Sequence, residues 1–232
     1  MYMPIYNDAI KMDQLNDVPL FQGISPKNRE VLLRCLHSYT KFYKKGAFLL
    51  FEDEQIDFVG IILSGTADIV YENMWGDKYI LGSLGKGDMF GEDVVFGADC
   101  EARVAVQARE QTVALYISSH LLLEACKTNY SGHYCLMSNL LLSLAKKNKQ
   151  LILKLRILSE KSLRKKLMSF LLYQAKVEGK NTIVLPFTHT ALAHYLCTNR
   201  TALLRVINTL KQEGIIDFQR NKFTLLHSEL VK

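Results

Sequence analysis

The chain has 232 residues, 49% of them hydrophobic and 22% charged, a balance that excludes disorder over most of its length and allows two domains. No run of about 18 uncharged apolar residues occurs, so no transmembrane helix and no membrane partner are expected, and the opening residues lack the basic and apolar regions of a secretory signal. Net charge is +6, but residues 1–158 hold 17 Lys and Arg against 18 Asp and Glu (net −1), whereas residues 159–232 hold 12 against 5 (net +7). That asymmetry points to a polyanion partner for the last third, or to no more than a solvated basic surface. Five cysteines without a CxxC pair argue against a disulfide framework or zinc finger and for a reducing, cytoplasmic setting.

In chain order, Ser25-Pro26 with Arg29-Glu30 after it predicts a helix capped by Ser25, with Pro26 at its first position. Val31, Leu32, Cys35 and Leu36 form its expected apolar face. From Thr40 to Ser118, short apolar runs are broken by glycines. Strands are expected at 48–51, 59–63, 67–71, 79–81, 104–108 and 113–117, a spacing that indicates a β sandwich or barrel of about 80 residues. The period then returns to helical. Met137, Leu141, Leu144, Asn148, Leu151, Leu155 and Leu158 alternate steps of four and three, a coiled-coil seam with one polar position of the kind that sets register and a two-stranded state. Such a helix pairs with a second copy, packs on its own β domain, or does both. A hinge follows over 158–162, with Ser162 as the next cap and Leu163, Leu167, Phe170 and Leu171 on the buried face.

Beyond a strand at 182–185, a short helix over 186–196 with Thr188 as cap, a turn over 197–199 and a helix from Arg200 to about Glu213, stopped by Gly214, make a helix-turn-helix. Leu203, Val206, Ile207 and Leu210 would face inward, and Arg200, Thr201, Leu204, Arg205 and Asn208 outward. The start of the second helix, with Asn199, suits the major groove, where Arg pairs with guanine. Arg200 and Arg205 lie ~140° apart around the helix, so one can read a base while the other holds a phosphate. Strand, polar turn and strand over 217–224 form a wing, whose Arg220 and Lys222 reach phosphates. With Thr188, these residues are the candidate DNA contacts.

Tyr43-Lys44-Lys45-Gly46, Ile62-Leu63-Ser64-Gly65, the run from Leu84 through Gly87-Asp88-Met89-Phe90-Gly91-Glu92, and the segment from Leu185 to Leu226 make the chain resemble the Crp–Fnr superfamily of bacterial transcription regulators over nearly its full length. The resemblance implies an α+β chain: an N-terminal cyclic-nucleotide-binding-like jelly roll with its leading helix (1–128), a dimerisation helix and hinge (129–160), and a C-terminal winged helix-turn-helix (161–232). It implies double-stranded DNA, a second copy and RNA polymerase as partners, with an unidentified small-molecule effector. It also implies DNA-reading arginines at Arg200 and Arg205, with Thr201 where Glu or Ser is frequent and Cys197 where the turn often has Gly. The effector pocket would draw on Phe90, Gly91, Glu92, Asp93, Ala102, Arg103 and Leu151. In cAMP-binding members the Glu binds a ribose hydroxyl and an Arg about ten residues later neutralises the phosphate. Here that Arg position is Ala102, and Arg103 is one residue off, on the opposite face of a strand. The adenine-contacting Thr-Ser pair falls near Leu151 and Ile152. A buried unpaired cyclic phosphate is costly, so cAMP is not the expected ligand, and Glu92 is alternatively a turn carboxylate accepting backbone N–H groups.

An iron–sulfur cluster is not expected either, because no cysteine precedes Cys35. Cys126 and Cys135, with His133 nearby, read as a thiol switch, as a haem or metal site, or as small packing residues, and Cys100 is open in the same way. No nucleophile–base motif, zinc-ligand spacing or phosphate-cradling glycine loop is present, so no enzyme is expected. The sequence therefore reads as a homodimeric regulator binding a palindromic site and controlled by an effector or redox signal at its N-terminal domain. The competing reading is a nucleotide-sensing module that acts on a partner other than DNA.

Overall fold

The computed structural model describes residues 12–97, 101–124, 131–185 and 187–226. Contacts divide the chain into two compact units. The first holds the described residues up to Asp77 together with Leu81–Lys147, and the second holds Lys78–Ile80 and the residues from Asn148 onward.

The first unit opens with short 3-10 turns at Met12–Leu15 and Pro19–Phe21, then helix α1 (Pro26–Cys35). Ser25 caps α1 as expected, its hydroxyl accepting the Asn28 N–H at 3.3 Å. The expected apolar face is corrected: Val31 and Cys35 are exposed, and the stripe that turns inward is Arg29, Leu32, Leu33 and Leu36. Arg29 joins this stripe because its guanidinium is satisfied, Nε donating to the Ile24 carbonyl at 2.8 Å and Nη1 to Asn16 at 2.7 Å.

The strands are β1 (Tyr39–Tyr43), β2 (Phe48–Leu50), β3 (Phe58–Ser64), β4 (Ala67–Glu72), β5 (Lys78–Leu84), β6 (Met89–Phe90), β7 (Ala105–Ala108) and β8 (Thr112–Ser118). They form two four-stranded sheets, ordered β1-β8-β3-β6 and β2-β7-β4-β5. Strands β1 and β6 escape the periodicity reading: β1 leaves Phe42 exposed while burying Tyr43, and β6 has two residues. Between the sheets lies a core that includes Tyr43, Leu50, Ile62, Phe90, Ala102 and Tyr116. Its aromatic rings pack closely, Tyr39 stacking on Tyr116 at 5.1 Å and Phe58 meeting it edge-on at 4.8 Å. Behind β3 and β8 a second apolar cluster gathers Leu20, Phe21, Leu32 and Leu36 against Leu136 and Leu140.

The short helices α2 (Glu92–Val95) and α3 (Ser119–Glu124) precede the long helix α4 (Ser131–Leu158). On α4, Met137 and Leu144 pack partly against the first unit's own core. Leu141, Asn148, Leu151 and Leu155 of the seam are exposed, Leu158 is half-buried, and Leu142 and Ile152 lie exposed beside them.

The second unit continues with α5 (Leu163–Glu178), β9 (Thr182–Val184), α6 (His189–Tyr195), α7 (Arg200–Gln212), β10 (Ile216–Gln219) and β11 (Lys222–Leu225). Ser162 caps α5 through the Lys165 N–H at 3.3 Å, and Gly179 ends it in the left-handed region. Leu167, Phe170, Leu171 and Ala175 of α5 pack with Leu192, Leu203, Ile207, Leu210 and Phe223 in one core, and β9 completes a small sheet of order β10-β11-β9.

Candidate functional site

The helix-turn-helix is built by caps. Thr188 Oγ1 accepts the Ala191 N–H at 3.1 Å to start α6, and Asn199 Oδ1 accepts the Ala202 N–H at 2.8 Å to start α7. The side-chain oxygen of Asn199 is therefore committed to the helix start. Between the helices the chain turns through Cys197, exposed and at φ 53°. This is the left-handed region that favours glycine, so the turn keeps that conformation with a cysteine in place. The exit is as expected, with Gly214 at φ 70° after α7.

Helix α7 buries Leu203, Ile207 and Leu210, and Val206 is half-buried. Arg200, Thr201, Arg205 and Asn208 are exposed, whereas Leu204 is half-buried and packs partly against the unit's core. The wing is β10 paired with β11 in register from Ile216↔Leu225 to Gln219↔Lys222. Its two-residue tip carries Arg220 at φ 56°, held from below where His189 Nε2 meets the Arg220 carbonyl at 2.8 Å and the Asn221 amide donates to the Leu185 carbonyl at 2.7 Å.

Charges in this unit are sorted. Arg164 grips Glu213 through both guanidinium nitrogens at 2.8 and 2.5 Å, and Lys211 holds Asp217 at 2.6 Å. The hydrogen bond from Arg164 holds the Glu213 carboxyl below the usual carboxylate range, and the bond from Lys211 does the same for Asp217. Arg200, Arg205, Arg220 and Lys222 stay exposed and make no ion pair among the described residues.

Lys154 carries no signal in the sequence that sets it apart from the other lysines of α4. It is buried on α4, its ammonium donates to the Ile80 carbonyl, and it sits 4.1 Å from the centre of the Tyr195 ring. Burial pushes it down to about 8.

In the first unit, Phe90, Gly91, Glu92 and Ala102 are buried together, whereas Asp93 and Arg103 are exposed. Gly91 stands at φ 80°, and a side chain there would bring Cβ within 2.8 Å of Ile56 Cδ1 and 3.2 Å of the Phe58 carbonyl. Only glycine fits, and its turn drives the next residue, Glu92, into the interior. Glu92 is 1% exposed. Among the described residues it is not a turn carboxylate collecting backbone N–H groups: Oε1 takes the Lys147 ammonium from α4, and Oε2 is buried with no hydrogen-bond partner among them. Asp88, earlier in the same motif, accepts the Gly85 N–H at 2.9 Å and faces Lys146 at 3.5 Å. Ala102 is fully buried and apolar, while Arg103 is exposed and faces Glu101 at 3.5 Å. Leu151 belongs to the second unit and is exposed.

Cys135 is half-buried, donating to the Gln22 carbonyl at 3.1 Å and packing partly on the core. Cys100 and Cys126 lie outside the described residues. Burial pushes the nearby His133 imidazole down. Among the described residues, no group of three His, Cys, Asp or Glu is placed to hold a metal ion, and no helix is long and apolar enough to cross a membrane.

The cyclic nucleotide-binding domain family matches residues 40–129, and the Crp-like helix-turn-helix domain family matches residues 165–230. The chain belongs to the Crp–Fnr superfamily. It is a Crp-family transcription regulator with a nucleotide-binding-type domain and a helix-turn-helix domain. A curated relative, the cyclic AMP receptor protein of Thermus thermophilus, is 26% identical over 200 residues, covering 85% of this chain and 88% of that protein. The fold is also that of a CooA variant from Carboxydothermus hydrogenoformans (TM-score 0.69, 20% identity, covering 87% of this chain and 88% of that one). The c-di-GMP-responsive regulator CLP of Xanthomonas campestris is similar too (TM-score 0.69, 17% identity, covering 85% and 98%). The lysines of α4 carry no local sequence signal that marks Lys147 as the partner of Glu92 or Lys154 as buried.

Proposed function

We propose that the chain works as a homodimer that binds a two-fold symmetric duplex site, with α7 in the major groove and the wing on the phosphate backbone. The observation that carries this reading is the set of exposed cations with no ion pair among the described residues, Arg200 and Arg205 on α7 with Arg220 and Lys222 at the wing, in a unit whose Glu213 and Asp217 are already engaged. Thr201 and Asn208 share the outward face of α7 and add hydrogen-bonding groups. Thr188 and Asn199 serve the helix starts and sit where a phosphate can approach the free N–H groups of those turns. The exposed seam of Leu141, Asn148, Leu151 and Leu155 suits a second copy of α4, and two-fold pairing sets half-sites about 34 Å apart. The N-terminal domain is the seat of control by an effector or redox signal, and RNA polymerase is the partner that transcription requires. Ala102 offers no counter-charge to a cyclic phosphate, which weighs against cAMP.

The test is duplex binding by full-length variants across a salt series. R205A and R200A are expected to weaken the preferred site by about 1–3 kcal/mol each where the Arg reads a base, with relaxed specificity at that position. K222A is expected to weaken all sequences alike and to lower the salt slope by about one. Binding that ignores salt, or Arg variants that match wild type on every duplex, would overturn the reading.

A further inference from the structure

Glu92 poses a problem that the family resemblance does not answer. A carboxylate that is 1% exposed must be neutralised or paired, because an isolated buried charge is costly. The pairing group is Lys147, which belongs to the same compact unit and reaches Glu92 Oε1 from α4, 55 residues along the chain. Its neighbour Lys146 faces Asp88 at 3.5 Å, four residues before Glu92. Adjacent lysines of one helix thus engage both carboxylates of the Gly87–Glu92 motif. Among the described residues Glu92 Oε2 keeps an unused acceptor in the interior, Ala102 is apolar and fully buried in the core of the same unit, and Arg103 is exposed and faces Glu101.

We propose that Lys147 is a built-in ligand of the Glu92 carboxylate. Its ammonium fills the place of an external effector's donor group and fastens α4 to the turn between β6 and α2. The inference deepens the proposed function, because α4 carries the seam assigned above to dimerisation. An anionic nucleotide would bring a further negative charge to a carboxylate whose counter-ion is already committed. Glu92 Oε2 can accept one more hydrogen bond, so a small neutral hydroxyl compound fits this chemistry better than a cyclic phosphate. Control at this pocket then consists of holding or breaking the Glu92–Lys147 pair.

The experiment uses the full chain as K147M, E92Q and K147M/E92Q, with K147A for chemical rescue. Stability is read by hydrogen exchange over 139–147. K147M is expected to speed exchange there at least about tenfold, because it leaves a buried carboxylate unpaired. The double variant is expected to recover part of that loss, since a neutral amide in place of the carboxylate leaves no unpaired buried charge. Should K147M fail to fold, recovery in the double variant carries the same information. Ethylammonium, which has N–H donors, should restore K147A, whereas tetramethylammonium at equal ionic strength should not. Millimolar cAMP or cGMP should leave wild-type duplex affinity unchanged. The proposal is overturned if K147M matches wild type, if the double variant shows only the sum of the single losses, or if either nucleotide raises wild-type affinity tenfold. Stability and exchange are read without DNA, so failure of the pair leaves the DNA reading standing, and failure of DNA binding leaves the pair standing.

Discussion

Replacing Cys197 with glycine should stabilise the DNA-reading unit. The perturbation acts on the backbone: Cys197 turns the chain between α6 and α7 at φ 53° and is exposed. An L side chain in the left-handed region costs roughly 1–2 kcal/mol relative to glycine. Against this, the unfolded chain gains freedom worth about 0.4–1 kcal/mol when glycine replaces a residue with a Cβ. Little burial is lost because the thiol lies at the surface. The difference leaves C197G more stable by about 0.5–1 kcal/mol, or about two- to fivefold slower exchange through local opening. Two units make a single global unfolding constant ambiguous, so the assay is amide hydrogen exchange over α6 and α7 in the full-length protein. C197A keeps the strain and should exchange like wild type, and C197V should exchange faster because a branched side chain suits this region worse. Faster exchange in C197G with no change in C197A would refute the argument from backbone strain.

Two further expectations follow from α4. L151D and L155D combined place charges on seam positions that are 61% and 67% exposed in the single chain; the variant should sediment as a monomer and lose duplex affinity, and a dimer of wild-type stability would contradict the seam. Lys154, pushed down to about 8 by burial against an ordinary 10.5, makes the unfolded chain the stronger proton binder between those values. Stability should therefore rise as pH rises from about 8 to 10.5, by on the order of 3 kcal/mol at most, with the increment lost again as pH falls through 8. K154M should flatten that rise in urea titrations that follow the second unit's own transition, and an unchanged pH profile would show that Lys154 titrates normally.

What was legible in the sequence was short-range. Ser25, Ser162 and Thr188 each accept an N–H three residues ahead, a geometry written in adjacent residues and read without tertiary information. The turn–helix–wing order from Thr188 to Lys222 was legible for the same reason. What escaped depends on distant partners. Arg29 is buried only because Ile24 and Asn16 satisfy it, so a polarity pattern replaced it with Val31 and Cys35. Strand β1 exists through its pairing with β8, Tyr39 opposite Tyr116, and its own alternation is weak. The Glu92–Lys147 pair joins residues with no spacing rule between them. Its carboxylate stood out by motif, and its lysine lay among the other lysines of a long helix.

The central claim is sequence-specific, two-fold recognition of duplex DNA through α7. The most direct test selects from a random duplex library with the purified full-length protein, in the presence and absence of reductant, and sequences what is retained. An enriched palindrome is expected, with half-sites about one helical turn apart and preferred bases that change in R200A or R205A. Retention of duplexes without a shared motif, or a motif that neither Arg variant alters, would contradict it.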